Sequence, residues 1–354
     1  MMEQELRQKE IQGLHALDVV TYGEAMAMFV AEETGDLAAV AHFTRRLAGA
    51  ETNVAIGLAR LGLKVGWLSR VGDDSFGRFI RASVQAEGVD CSRVVTVAGQ
   101  TSAFQLKARA ENGADPMVEY FRKGSAASRL APEHFDPAYF LSARHLHATG
   151  VAAALSETSL AFAGQALDFM REHGRTVSFD PNLRPTLWPS QAVMVEQINR
   201  LACKADWVLP GLGEGKILTG HELPHDIAGF YLQQGVQLVV IKLGADGAYY
   251  RTADGDSGVV PGERVANVVD TVGAGDGFAA GLVSALLEGL PLAQAVGRAN
   301  RVGAFAIQVA GDMEGLPLAQ AVRRGNRVGA FAIQVAGDME GLPTRAQLDA
   351  LVQS

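Results

Sequence analysis

The sequence predicts an α/β protein in which helices cover both faces of a largely parallel central sheet, with a small β lid beside it. Short β-branched or aromatic runs alternate with longer stretches of helical periodicity over most of the 354 residues. With 48% hydrophobic and 20% charged residues, the chain has enough apolar material for a substantial core. We therefore expect one domain over residues 18–354, preceded by an N-terminal extension over residues 1–17.

Each predicted strand is a short β-branched or aromatic run that is bounded by Gly, Pro or Asp. In chain order these runs cover residues 19–22, 65–71, 145–149, 176–179, 207–209 and 238–242. Each predicted helix is a longer stretch whose apolar residues recur at helical spacing, and these stretches cover residues 52–61, 75–86, 159–173, 191–203 and 277–287. Because helices separate most of these strands, we expect parallel pairing in the main sheet.

Two segments, residues 24–48 and 98–125, break the alternation of strand and helix. They carry alternating strand-like stretches, such as SAFQLKARA and MVEYFRK, with no helix between them. Antiparallel strands need only short connections, whereas parallel strands usually need a crossover helix. We therefore predict that the two segments form an antiparallel lid.

Composition excludes several classes of protein. The 31 basic residues against 39 acidic residues give a formal charge of −8, which argues against a nucleic-acid partner. Only Cys91 and Cys203 are present, far apart, so a disulfide framework or zinc site is not expected. The N-terminal residues are polar, and no run approaches the ~20 apolar residues of a membrane span. We expect a cytoplasmic protein without a membrane partner.

A tandem repeat occupies residues 288–313 and 314–339. The two copies of 26 residues differ only where Gly297 and Ala299 of the first copy become Arg323 and Gly325 in the second. A solenoid needs at least three repeats, so we interpret the pair as a recent duplication. Each copy has the apolar spacing of a helix with one buried face, and a single domain should have one position for it.

The most informative motif is DTVGAGDGFAAG, over residues 270–281, where a glycine-rich turn precedes an apolar helix. Free backbone amides at a helix N-terminus favour binding of a phosphate group. Among these donors Asp276 could accept the proton of an attacking hydroxyl group. We therefore predict a phosphoryl-transfer site whose catalytic residues are Asp276, Gly273, Ala274 and Gly275.

Two other interpretations of this motif stay open. Asp276 could merely cap the helix, as Asp often does. Gly275, Gly277 and Ala280 also fit the GxGxxA pattern of dinucleotide-binding proteins, although an Asp then stands where a pyrophosphate would approach. The chain contains neither GxxxxGKS nor GxxxxGKT, so its phosphate site is not a P-loop.

The motif resembles the C-terminal signature of the ribokinase-like carbohydrate kinases. AGAETNVAIGLARLG (48–62) and SRVGDDSFG (69–77) resemble the N-terminal signature of the same family, and the resemblance extends from about residue 18 to residue 353, apart from the duplicated copy. It implies a ribokinase-like three-layer sandwich, ATP with a divalent ion, usually Mg²⁺, and a homo-oligomer. It also implies Asp276 as the base, an anion hole of the amides of residues 273–276, and contact of Gly49 and Asn53 with the sugar.

Three stretches, GEAMAMF (23–29), YFRKGSAASRLAP (120–132) and DPNLRPTLW (180–188), are similar to those of 2-keto-3-deoxygluconate kinases. Such kinases phosphorylate the 6-hydroxyl of this sugar acid to give 2-keto-3-deoxy-6-phosphogluconate. The planar side chains of Arg122 and Arg184 independently suit a carboxylate. Tyr120 is a further candidate, and Phe104 stands where these kinases tend to carry a tyrosine. The predicted substrate-binding residues are Gly49, Asn53, Phe104, Tyr120, Arg122, Arg184 and Asp276.

Other segments resemble the nucleotide side of the family's site. VVIKLGADGAYY (239–250) is similar to its KxGxxG element, and Glu214 matches the Glu of an NxxE element that organises metal-bound water, although Gly211 replaces the Asn. RANRVGA (298–304) resembles a segment near the adenine, so the first repeat copy is expected at this site. The predicted cofactor-binding residues are Lys242, Gly244, Gly247, Glu214, Asn182, Gly275 and Asn300. No metal ligand is assigned.

Two alternatives to a 2-keto-3-deoxygluconate kinase stay open. One is a different sugar kinase of the family, such as a fructokinase or a 5-keto sugar-acid kinase. Relatives that act on neutral sugars often place an acidic residue a few positions after the first strand, where Met28 stands here, and a missing carboxylate suits an anionic substrate. The other alternative is a catalytically impaired sugar or nucleotide binder, because the spare helix could obstruct ATP.

Overall fold

The structure is a computed structural model that describes residues 16–109, 116–263, 265 and 272–306. The strands in these ranges are β1 (Leu17–Tyr22), β2 (Met26–Ala31), β3 (Phe43–Ala48), β4 (Val65–Gly72), β5 (Val94–Val97), β6 (Phe104–Lys107), β7 (Val118–Phe121), β8 (Ala143–Thr149), β9 (Thr176–Asp180), β10 (Trp207–Val208), β11 (Leu238–Lys242), β12 (Ala248–Thr252) and β13 (Ser257–Val260). The helices are α1 (Ala50–Arg60), α2 (Ser75–Ala86), α3 (Pro137–Leu141), α4 (Gly150–Ala153), α5 (Glu157–Glu172), α6 (Gln191–Ala202), α7 (Leu212–Thr219), α8 (Pro224–Gln233), α9 (Ala274–Leu287) and α10 (Leu292–Ala306).

The central sheet has the strand order β13-β12-β11-β10-β9-β8-β1-β4-β5. All neighbours from β11 to β5 pair in parallel, and β12 and β13 add an antiparallel hairpin at one edge. The chain runs outward from β1 to β4 and β5 and then returns to β8 on the other side of β1. The carboxyl ends of β1 and β8 therefore flank a topological switch point, where open α/β sheets bind ligands.

Helices cover both faces of the sheet, as the strand-helix alternation predicts. Val19 of β1 belongs to a core formed with α1, α2, α9 and α10. The next residue, Val20, points to the opposite face and belongs to a core formed with α3, α5, α6 and α8. Side chains alternate between faces along a strand, so one buried run supplies both cores. The predicted three-layer sandwich is confirmed.

The predicted lid is a second sheet with the order β3-β2-β6-β7. Its outer pairs, β2 with β3 and β6 with β7, are antiparallel, but β2 and β6 pair in parallel, so the prediction of an antiparallel lid is wrong at its centre. The two hairpins are far apart in sequence, and the chain passes through α1, β4, α2 and β5 between them. A long crossover of this kind permits parallel pairing, which short-range patterns do not predict.

Helix α9 packs closely against α10 through glycines. A Cβ at Gly281 would lie 2.8 Å from the Cα of Ala299, and one at Gly303 would lie 3.0 Å from the carbonyl oxygen of Ala274. Because α10 is residues 292–306, the first repeat copy supplies this helix. The second copy, residues 314–339, lies outside the described residues, as do residues 1–15 of the predicted extension.

Several predicted boundaries shift. Helix α9 begins at Ala274 instead of Gly277, because Gly273 adopts the left-handed conformation (φ 83°) and caps the helix. Strand β1 begins at Leu17, inside the predicted extension. The β12–β13 hairpin has no counterpart among the predicted strands. In the described part of the chain, each helix is too short or too polar to cross a lipid bilayer.

Candidate active site

Asp276 lies in the first turn of α9 and is buried. Its Oδ2 accepts a hydrogen bond of 2.8 Å from Asn53 Nδ2, and its Oδ1 accepts one of 3.3 Å from Asn182 Nδ2. Asn53 belongs to α1 and Asn182 follows β9, so three separate elements hold the carboxylate. Three residues that the sequence predicts for the site therefore meet at one point.

The surroundings of Asp276 raise its pKa to about 6. Burial is the largest cause, because it disfavours the charged form, and the negative charge of Asp180 adds to it. The hydrogen bond from Asn53 and the positive charges of Arg184 and Lys242 act in the opposite direction. A carboxylate with this pKa is mostly ionised at pH 7 and yet is a stronger base than an exposed Asp.

Lys242 stands at the carboxyl end of β11, and its Nζ lies 2.7 Å from Oδ2 of Asp180 at the end of β9. The ammonium also lies beside the start of α9, since a Cβ at Gly275 would be 3.5 Å from Nζ. Burial alone would lower the pKa of Lys242, but the carboxylates of Asp180, Glu214 and Asp276 raise it overall. Lys242 is therefore a lasting positive charge next to the helix N-terminus.

Asp180 is missed by the sequence analysis, although it is the first residue of the DPNLRPTLW stretch. It is 1% exposed and links the two sides of the site: its Oδ2 binds Lys242, and its Oδ1 accepts a hydrogen bond of 3.1 Å from the backbone N–H of Asn182. Asn182 has a positive φ of 39°, a conformation in which Asn is favoured among residues with a side chain. The sequence feature that could have indicated Asp180 is an acidic residue at the end of an apolar strand.

Both carboxylate oxygens of Glu214 accept hydrogen bonds from backbone amides. Oε1 accepts from Leu183 N at 2.8 Å, and Oε2 accepts from Gly211 N at 2.7 Å. Glu214 therefore ties the loop that carries Asn182 to the start of α7. A Cβ at Gly211 would lie 3.3 Å from Glu214 Oε2, so the residue that replaces the family's Asn stands directly against this carboxylate.

Three of the predicted substrate-binding residues, Phe104, Tyr120 and Arg122, line one cleft of about 700 Å³ at the edge of the lid and next to the start of α2, whereas Asp276 is not among its lining residues. Pockets of this size commonly hold small ligands. The ring of Phe104 stacks on that of Phe121, with 4.5 Å between centroids. Cross-strand pairing places Phe104 opposite Phe121 and Gln105 opposite Tyr120, so Phe104 and Tyr120 point to opposite faces of the lid.

Arg122 is held by Glu24, another residue that the sequence analysis misses. Its Nε lies 2.7 Å from Oε2 of Glu24, which follows β1 and is 2% exposed. The side chain of Met28 is fully buried in the lid. Met28 itself supplies no carboxylate, but Glu24 places one near the end of β1.

Gly49 stands where α1 begins and allows a close approach. A Cβ there would lie 2.6 Å from Thr52 Oγ1 and 2.7 Å from the carbonyl oxygen of Glu24. Glu51, in the first turn of α1, is buried, accepts a hydrogen bond from the Thr149 hydroxyl and has a pKa raised to about 7, chiefly by burial. Asn53 of this stretch is among the predicted site residues, whereas Glu51 is not.

The remaining predicted residues are less closely tied to Asp276. Arg184 is exposed and donates from Nη1 to the carbonyl oxygen of Leu183 at 2.9 Å. Gly247 and Asn300 both contact the loop after β13: a Cβ at Gly247 would lie 2.1 Å from the Val260 carbonyl oxygen, and Asn300 Nδ2 donates to that oxygen at 3.0 Å. Gly244 has a positive φ of 64° in the exposed turn before Gly247.

Comparison with known proteins identifies the family. A profile of the pfkB family carbohydrate kinases matches residues 16–317. The chain is 51% identical over 298 residues to the 2-dehydro-3-deoxygluconokinase of Bacillus subtilis, which covers 84% of this chain and 91% of that protein. The crystal structure of PfkB protein from Polaromonas sp. JS666 superposes with a TM-score of 0.81 at 51% identity, covering 95% of this chain and 100% of that one.

A more distant structure shares the fold. Aminoimidazole riboside kinase from Salmonella enterica, complexed with aminoimidazole riboside and an ATP analog, has a TM-score of 0.75 at 27% identity and covers 95% of this chain and 99% of that one. The profile matches most of the chain, and the matched residues include those of the site described above. This chain therefore belongs to the pfkB family of carbohydrate kinases.

Proposed function

We propose that this carbohydrate kinase transfers the γ-phosphoryl group of ATP to the 6-hydroxyl of 2-keto-3-deoxygluconate, also called 2-dehydro-3-deoxygluconate, and yields 2-keto-3-deoxy-6-phosphogluconate. The observation that carries the proposal is the buried Asp276 carboxylate at the start of α9, beside the Lys242 ammonium. The 51% identity with the Bacillus subtilis kinase of that name supports the substrate.

In this proposal Asp276 accepts the proton of the 6-hydroxyl as the hydroxyl oxygen attacks the γ-phosphorus atom of ATP, and the bond from that phosphorus to the bridging oxygen breaks to release ADP. The hydrogen bonds from Asn53 and Asn182 hold the carboxylate in place. A pKa of about 6 keeps Asp276 ionised at pH 7 and close enough to neutrality to take up the proton. General-base catalysis of this kind contributes ~10²–10⁴-fold to the rate.

The amides of residues 273–276 and the Lys242 ammonium are the proposed donors for negative charge on the transferring group. The N-terminus of α9 adds partial positive charge at the same point. Bound ATP supplies the phosphoryl group. The backbone amides and the Lys242 ammonium, which lies close to Gly275, fit a phosphate group.

The charged residues also fit the divalent ion that we propose, Mg²⁺. Among the described residues, no three His, Cys, Asp or Glu side chains converge on one point as a protein cage would require. Mg²⁺ with a nucleotide is usually held by phosphate oxygens, water and one or two carboxylates. Asp180 and Glu214, which lie next to Lys242, are the carboxylates that would serve it.

For the sugar acid we propose that Arg122 binds the carboxylate and that Arg184 adds positive charge. Tyr120, Phe104, Gly49 and Asn53 complete the proposed substrate contacts. Arg122 and Tyr120 line a cleft of about 700 Å³, a volume typical of small-molecule pockets.

The direct test is ATP-dependent phosphorylation of 2-keto-3-deoxygluconate by the full chain, with fructose and ribose in parallel and the product position assigned by NMR. We expect the 6-phosphate of the sugar acid and a far lower kcat/KM for the neutral sugars. Preferential turnover of fructose, ribose or a 5-keto sugar acid would replace the proposed substrate, and no turnover of any of them would favour an impaired binder.

We further propose a cytoplasmic homo-oligomer. A kinase that consumes ATP works where ATP is made, and Cys91 and Cys203 are both free thiols, as a reducing compartment would keep them. Light scattering on the purified kinase, with and without substrate, tests the oligomeric state. A monomer at micromolar concentration would refute that part of the proposal.

A further inference from the structure

Arg122 is held from two sides. Its Nε contacts Glu24 Oε2 at 2.7 Å, and its guanidinium carbon lies over the ring of Tyr120, 5.8 Å from the centroid. The side chains of Arg122 and Glu24 are only 10% and 1% exposed. A guanidinium fixed at Nε and along one face has little freedom to rotate, so the direction of its two terminal nitrogens is set by these neighbours.

The terminal nitrogens remain available for a ligand. Among the described residues, neither of them has a hydrogen-bond partner, and Arg122 lines the 700 Å³ cleft. Two parallel N–H donors are what bidentate recognition of a carboxylate requires. The interior contact is thus made by Nε, and the two terminal nitrogens remain for a ligand.

Glu24 is itself firmly placed. Its second oxygen, Oε1, accepts a hydrogen bond from the Ser125 hydroxyl, and Ser125 Oγ accepts one of 3.1 Å from Ser128 N. Glu24 lies between β1 of the central sheet and β2 of the lid, whereas Arg122 follows the lid strand β7. The ion pair therefore joins the segment that enters the lid before β2 to the segment that leaves it after β7, next to the switch point.

We propose that Glu24 is a positioning residue that sets selectivity for sugar acids by aiming the terminal nitrogens of Arg122 at the substrate carboxylate. This inference rests on the proposed function, since it concerns the same substrate. For this role the position of the Glu24 oxygen beside Arg122 Nε matters more than the negative charge of Glu24. That charge weakens the attraction of Arg122 for an anionic substrate.

Two variants separate position from charge. Glu24→Gln keeps an oxygen at the same reach, and its amide group can donate to Ser125 Oγ, so the fork should stay aimed. Glu24→Asp keeps the charge but withdraws the oxygens by one methylene, so the fork should lose its support. We expect Glu24→Gln to stay within a few-fold of the wild type, and Glu24→Asp to raise KM for 2-keto-3-deoxygluconate on the order of 10-fold with kcat and the KM for ATP little changed.

The same variants are measured in an Arg122→Met background and with 3-deoxyfructose, which lacks the carboxylate but keeps the 6-hydroxyl. If Glu24 acts through Arg122, Glu24→Asp causes no further loss in Arg122→Met, and it leaves kcat/KM for the neutral sugar unchanged. Equal losses in both backgrounds, or a loss in Glu24→Gln without one in Glu24→Asp, would overturn the inference.

Failure of the proposed function is distinguishable from failure of this inference. A wild-type enzyme that does not phosphorylate the sugar acid refutes the proposed function and the inference with it. A wild-type enzyme that does so, with unaltered KM in Glu24→Asp, refutes the inference alone. Thermal unfolding of each variant shows whether it is folded at the assay temperature. Ser125→Ala, which removes the hydroxyl that supports Glu24 and also accepts from Ser128 N, is the second route if Glu24→Asp does not fold. We expect a smaller rise in the same KM, and an unchanged KM would count against the inference.

Discussion

Replacing Asp276 by Asn should disable the kinase and, above pH 6, stabilise its fold. The kcat should fall ~10²–10⁴-fold, because the amide cannot accept the proton of the attacking hydroxyl. Binding of ATP should be largely retained, since Lys242 and the backbone amides are unchanged. The stability effect arises because burial makes the ionised carboxylate unfavourable in the native state.

The size of that effect follows from the pKa of Asp276, which is raised from 3.8 to about 6 in the folded protein. Below pH 3.8 the carboxyl is protonated in both the folded and the unfolded states, so it contributes nothing. Between pH 3.8 and about 6 the carboxyl is ionised in the unfolded state but still largely protonated in the folded state, so the free energy of unfolding falls mainly in this window, by about 3 kcal/mol from well below it to well above it. Asn does not titrate and avoids this loss.

The assay is urea denaturation of the wild type and Asp276→Asn from pH 4 to pH 8, with kinase turnover measured on the same samples. The difference in unfolding free energy should grow in favour of the variant by about 2 kcal/mol between pH 4 and pH 7 and then stay nearly constant. Asp246→Asn, at an exposed carboxylate in the turn after β11, is the matched control for the exchange of a carboxylate for an amide. Parallel stability curves would refute the buried-carboxylate argument, and near-normal turnover would refute Asp276 as the base.

Three further outcomes are expected. Lys242→Met should raise the KM for ATP and lower the stability by about 3 kcal/mol, because it leaves Asp180 buried without its partner; an unchanged KM for ATP would contradict the assignment. Gly281→Ala should destabilise the kinase by about 1–3 kcal/mol in thermal unfolding, because the added methyl forces α9 away from α10, whereas Gly164→Ala, in a helix with open space, should be neutral or stabilising. Deletion of residues 314–339 should leave turnover within a few-fold of the full chain, and activity that appears only after deletion would show that the duplication blocks the enzyme.

The sequence predicts the fold and the meeting of four predicted site residues for a physical reason. In a parallel α/β sheet, strand ends and helix starts meet at one edge, so motifs at those points must come together. Asp276, Asn53, Asn182 and Lys242 all lie at such points, and the structure brings them within contact of one another or of Asp180. Knowing only where each element ends was enough to group them.

The sequence does not predict the partners of the buried acidic residues. Asp180, Glu24 and Glu51 are each acidic residues beside an apolar run, and nothing local distinguishes them from ordinary surface carboxylates. Their burial depends on residues between about 60 and 100 positions away, such as Lys242, Arg122 and Thr149. The parallel centre of the lid was missed for the same reason, since strand direction depends on the path of the whole intervening chain.

The glycines of DTVGAGDGFAAG divide into two groups with different consequences for mutational screening. Gly273 and Gly275 shape the start of α9, where Lys242 stands, while Gly277 and Gly281 face α10. A screen that records only growth or turnover would score losses at all four glycines alike and would enlarge the apparent active site by two residues. Counting folded protein in parallel would separate inactive enzymes with an intact fold from those whose helices have moved apart.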